Sequence, residues 1–160
     1  MKNRFAYLLA LAIGLTFAGC KKDSPGTPVP TATKADLLTA KKWRVSASTT
    51  TTTYNNQTTT SDSYASSPAC ERDDFTQFNA NKTATFDEGA TRCSSTDPQT
   101  TSGTWDLNSD KTKLNLTSPD FGGLVVPFDI VALDASTLSL RFTQSASGAA
   151  STMNITFKSF

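Results

Sequence analysis

The chain has 160 residues, enough for one domain and short for two. Hydrophobic residues make up only 37%, and Thr and Ser fill the deficit, a composition suited to strands with one wet face and unsuited to helical bundles. The absence of histidine excludes Ser-His-Asp and Cys-His nucleophile systems and His-ligated zinc, copper or non-haem iron, while 15 basic against 14 acidic residues leave no electrostatic footprint for nucleic acid.

At the amino terminus, Lys2 and Arg4 precede an apolar run from Phe5 to Ala18. As a helix this run is about 21 Å long, short of the roughly 30 Å hydrocarbon core, so it reads as a signal-peptide core and not as a membrane span. Phe17-Ala18-Gly19-Cys20 resembles the lipobox of bacterial lipoproteins, with phenylalanine where leucine is commoner. The resemblance implies that residues 1–19 are removed and that Cys20 carries lipid, which anchors the chain to a membrane. The alternative is an ordinary secretory peptide cleaved near Ala18. Cys20-Lys21-Lys22-Asp23 is similar to the start of lipoproteins of the Bacteroidetes type, which implies the outer membrane, on its periplasmic face or at the cell surface. Removal of Lys2 and Arg4 leaves a near-neutral mature chain. Residues 20–33 then form a tether, because Pro25, Gly26, Pro28 and Pro30 prevent both helix and central strand. Ten such extended residues span about 30 Å. The folded domain is predicted over residues 34–160.

Lys34–Ala40 reads as a short helix, with Thr33 as N-cap and Asp36 three residues on. From Trp43 the period becomes two, and the Thr-rich run continues as strand or edge ribbon. Asp74–Phe78 and Thr83–Phe86 predict a hairpin across Asn79-Ala80-Asn81-Lys82. Gly103–Leu107 and Thr112–Leu116 predict a second across Asn108-Ser109-Asp110-Lys111, with Trp105, Leu107, Leu114 and Leu116 on one face. Val125–Leu133 and Thr137–Phe142 predict a third, and Met153, Ile155 and Phe157 alternate in a last strand. Eight or nine strands joined by tight turns imply an all-β antiparallel meander closed into a barrel, with a β-sandwich as the alternative.

Cys20 assigned to lipid leaves Cys70 and Cys93 as a pair. Opposed residues of the first hairpin sum to about 161 and the two cysteines to 163, so they fall nearly opposite each other just beyond the strands. That spacing suits a structural disulfide, whose Cα atoms stand about 5–6 Å apart. A redox pair usually has only two residues between its cysteines.

Several segments in order are similar to the lipocalin-like domain of small secreted Bacteroidetes lipoproteins. They are Leu37–Val45, Cys70–Phe75, Phe78–Thr83, Cys93 and Gly103–Leu107. Ala40 and Ala80-Asn81 depart from the family's usual glycine and Asp-Gly, which touches turn geometry only. The resemblance implies a lipocalin-like barrel and, by extension, a small hydrophobic ligand in its mouth. Candidate lumen residues are Trp43, Phe78, Trp105, Leu107, Phe128, Leu140 and Phe157, with a plain filled core as the alternative. A structural or adhesive envelope lipoprotein using Thr49–Thr60 is the other non-catalytic reading. The acids Glu71, Asp73, Asp74, Asp87 and Glu88 could serve hydrolysis or calcium, but they flank a hairpin and read as solvated surface charges. No catalytic residue, metal or cofactor is expected, and the chain is expected to be a monomer.

Overall fold

A capped helix opens the domain. In the computed structural model, which describes residues 31–160, helix α1 spans Lys34–Thr39. The capping box is complete: the Thr33 hydroxyl accepts from the Asp36 N–H at 3.2 Å, and the Asp36 carboxylate accepts from the Thr33 N–H at 2.8 Å. Residues 1–19, Cys20 and most of the tether lie outside the described residues.

Nine strands follow: β1 Lys42–Tyr54, β2 Gln57–Asp62, β3 Phe75–Phe78, β4 Thr83–Asp87, β5 Thr100–Leu107, β6 Lys113–Leu116, β7 Val126–Leu133, β8 Thr137–Ala146 and β9 Ala149–Ser159. A short helix, α2 (Ser63–Ser66), and a 3-10 turn, Ala69–Glu71, lie between β2 and β3. Each strand pairs antiparallel with its neighbour, and β1 pairs with β9 from Trp43↔Ser159 to Tyr54↔Ala149. That last pairing closes the barrel. The other edge of β1 is shared, with Lys42 and Trp43 paired to β3 and Thr49–Tyr54 paired to β2. Eight strands therefore form the barrel and β2 is an extra one. The predicted meander is present, and the sandwich alternative is excluded.

The Thr-rich run proves to be a hairpin. Asn55 and Asn56 form its two-residue turn with φ of 48° and 60°, the pattern of a type I′ turn. Thr51–Thr60 and Thr53–Thr58 hydroxyl pairs link its strands at 3.0 and 2.9 Å. The β3–β4 and β5–β6 turns close when the Asn79 and Asn108 carbonyls accept from the N–H groups of Lys82 and Lys111. Both lysines take the left-handed conformation, at φ 69° and 58°.

The turns β3–β4, β5–β6 and β7–β8 share one end of the barrel with α1, whose Lys34 ammonium donates to the Lys111 carbonyl at 2.7 Å. This end is filled. Leu38, Trp43, Phe78, Ala84, Trp105, Leu114, Leu138 and Leu140 are each at most 2% exposed. Phe78 meets Trp105 edge to face at 5.7 Å. Both indoles find partners, Trp43 donating to the Leu38 carbonyl at 2.9 Å and Trp105 to the Asn79 carbonyl at 3.0 Å.

Candidate ligand-binding site in the open end of the barrel

The opposite end is looser. Its rim comprises the β1–β2 and β8–β9 turns, the β2–β3 connection, and the β4–β5 and β6–β7 loops. Cys70 and Cys93 form the predicted disulfide, with Cα atoms 5.2 Å apart. It ties the β4–β5 loop to the segment before β3. Asp73 fastens the same loop, accepting from the N–H groups of Ala90 and Thr91 and from the Thr91 hydroxyl at 2.7–2.9 Å. Those bonds hold the Asp73 carboxyl below the usual carboxylate range, the Thr91 hydroxyl foremost.

Among the described residues, cavities at this end include an open one of about 380 Å3 at the β8–β9 turn and three deeper ones between the strands. One of about 190 Å3 lies over Trp43 and Phe157 and is walled by Val45, Phe86, Asp74 and Glu88. A second of about 280 Å3 lies under α2 between Tyr64 and Ile155, and shares Val45 and Asp74 with the first. The third, of about 290 Å3, is lined by Phe121, Val126, Phe128, Phe142 and Met153, with Thr50, Gln144 and Ser151 at its edge. A bulge in β1 between Val45 and Ala47 sets this lining. Beyond it Ser48 opposes Ile155 and Thr50 opposes Met153, so small polar side chains line the cavities.

Of the predicted lumen residues, Trp43, Phe157 and Phe128 line cavities. Phe78, Trp105 and Leu140 are packed into the filled end, and Leu107 packs half-buried against it. Phe86, Phe121, Phe142 and Met153, which are not among the expected lumen residues, line cavities as well. Phe142 and Met153 oppose each other across β8 and β9, and their alternation was the available signal.

The acids need a correction. Asp73 and Asp87 do organise a surface loop, Asp87 accepting from the Gly89 N–H and the Gln99 amide at 2.9 Å. Asp74 does not behave as a solvated charge. Asp74, Thr76 and Phe78 alternate onto the inner face of β3, and continuing the register past Phe75↔Asp87 sets Asp74 opposite Glu88. The Asp74 Oδ1 is buried and accepts no hydrogen bond from the described residues. Its carboxyl is pushed up to about 6, first by burial and then by the negative charges of Glu88, Asp73, Glu71 and Asp87. Such a group can neutralise a cation or give up a proton near neutral pH. Among the described residues, no three His, Cys, Asp or Glu side chains are grouped to hold a metal ion.

A closed eight-stranded antiparallel barrel, plugged by a helix at one end and hollow at the other, defines a lipocalin-type barrel. The sequence matches the lipocalin-like domain family over residues 39–140, more than half of the chain, and the protein belongs to that family. The match ends within β8, so the closing strand β9 lies beyond it. A comparison with curated proteins finds no match.

Proposed function

We propose that the protein is a membrane-tethered envelope lipoprotein whose barrel binds a small hydrophobic molecule. The observation that carries the binding reading is the apolar cavity of about 290 Å3 at Phe121, Phe128, Phe142 and Met153. Exposed Leu124 and Val125 adjoin it in sequence and give an apolar approach. The tether rests on the lipobox resemblance at Cys20 and the proline-rich segment behind it, which together support lipid anchoring at the outer membrane. The protein acts as a monomer without a cofactor. Native mass spectrometry of protein purified without detergent tests the binding, with a retained small molecule expected and uniformly empty protein against it. Growth on radiolabelled palmitate tests the tether: label and membrane association should both be lost in Cys20→Ser.

One observation favours a second reading. Asp74 and Glu88 are inward acids of the kind that serve carboxylate hydrolases. A screen of glycosides and esters decides: turnover abolished in Asp74→Asn would displace the binding role, and no turnover would leave it standing.

A further inference from the structure

Among the described residues, every charged one that lines the Trp43 cavity is an acid. Asp74, Asp87, Glu88 and Asp120 are there, and among the described residues no lysine or arginine is. The adjoining cavity under α2 adds Glu71; among the described residues no basic side chain lines it, and Arg72 stands over the Tyr64 ring at 5.6 Å. Aromatic side chains accompany these acids in the first cavity: Trp43, Phe86 and Phe157. The faces of such rings attract ammonium groups and repel anions, as carboxylates do. Asp73 and Asp87 have their donors, whereas the buried Asp74 Oδ1 has none among the described residues. A buried acceptor without a donor is costly, so an occupant that brings an N–H and a positive charge is favoured here.

The third cavity has a different character, since among the described residues no charged side chain lines it. The acidic and apolar regions succeed one another along the same two strands. Ser48 and Ile155 line the cavity that contains Asp74, and the next inward pair, Thr50 and Met153, lines the apolar one. A molecule with a polar head and a hydrocarbon body has the matching order.

We infer that the barrel selects a small organic cation with an apolar body, its ammonium group held against Asp74 and its hydrocarbon directed toward Met153 and Phe142. This rests on the binding role proposed above and narrows it to one chemical class. An uncharged amphiphile leaves the carboxylates uncompensated, and an anionic one is repelled by them.

Calorimetric titration of the purified protein with n-octylamine, n-octanol and sodium octanoate at neutral pH tests it. Octylamine should bind at least about tenfold more tightly than octanol, and octanoate most weakly. In Asp74→Asn the ratio of amine to alcohol affinity should fall to about one, with Glu88→Gln moving it in the same direction should the first variant fold poorly. Equal affinities in the unmodified protein, or an amine preference that survives both substitutions, would overturn the cation inference alone. Failure of all three probes to bind would overturn the binding role itself and the inference with it.

Discussion

The indole N–H of Trp43 donates to the Leu38 carbonyl at 2.9 Å, and both side chains are fully buried. This bond joins the first barrel strand to the helix that plugs the closed end. Trp43→Phe keeps an aromatic ring but leaves the carbonyl without its donor and a small void beside it. A loss of about 2–3 kcal/mol in urea unfolding is expected. An unchanged midpoint would mean that α1 contributes little to holding the barrel.

The Cys70–Cys93 disulfide spans 23 residues of sequence. In the chain-entropy picture, closing such a loop stabilises by roughly 3 kcal/mol. The double variant Cys70→Ala/Cys93→Ala should unfold at correspondingly lower denaturant concentration, and its β4–β5 loop should be cut first by a protease. Equal protease resistance would show that Asp73 alone suffices to hold that loop.

Asp74 gives a pH signature opposite in sign to Asp73. The Asp74 carboxyl is raised from 3.8 to about 6, so its folded form binds protons more tightly than its unfolded form. Its contribution is therefore fully present below about pH 4 and is lost as pH rises through 6. The acids acting on it, largest effect first, are Glu88, Asp73, Glu71 and Asp87. Asp74→Asn should stabilise the protein at pH 7 by about 1 kcal/mol, allowing for partial solvent screening, and the gain should vanish near pH 4. Asp73→Asn should instead destabilise at pH 7, because its lowered pKa marks stability that is lost only as pH falls. Thermal melts of both variants across this range check the two signs.

Lys111 occupies a left-handed turn position at φ 58° with its side chain exposed. An L-residue there carries strain that glycine avoids, offset in part by glycine's greater freedom when unfolded. Lys111→Gly should raise stability by about 0.5–1 kcal/mol in urea unfolding. A loss would show that the lysine side chain contributes more than its backbone strain costs.

Much of the architecture was readable because it is written locally. Thr33 and Asp36 announce α1, and alternation around Asn79–Lys82 and Asn108–Lys111 announces two hairpins. The register of the first hairpin was enough to pair Cys70 with Cys93. Closure between β1 and β9 has no local signal, since it joins strands about a hundred residues apart. The bulge after Val45 was equally silent, and it inverts which residues of β1 face inward. The cavities depend on the summed volumes of side chains from several strands, which explains why Trp43 and Phe128 border space while Phe78 and Leu140 do not. Asp74 was misread because the acids around it in sequence do sit on the surface. Its inward direction follows from a strand that begins only at the next residue.

Met153 offers the most direct view of whether the open end takes up an apolar molecule. It lines the apolar cavity and is the only methionine besides Met1. Protein labelled with methyl-13C methionine, with Met153→Leu to assign the signal, can be titrated with n-octylamine and then with n-octanol. Binding in the barrel requires a saturable shift of the Met153 methyl resonance with at least one of them. A resonance that stays in place up to the solubility limit of both would contradict it.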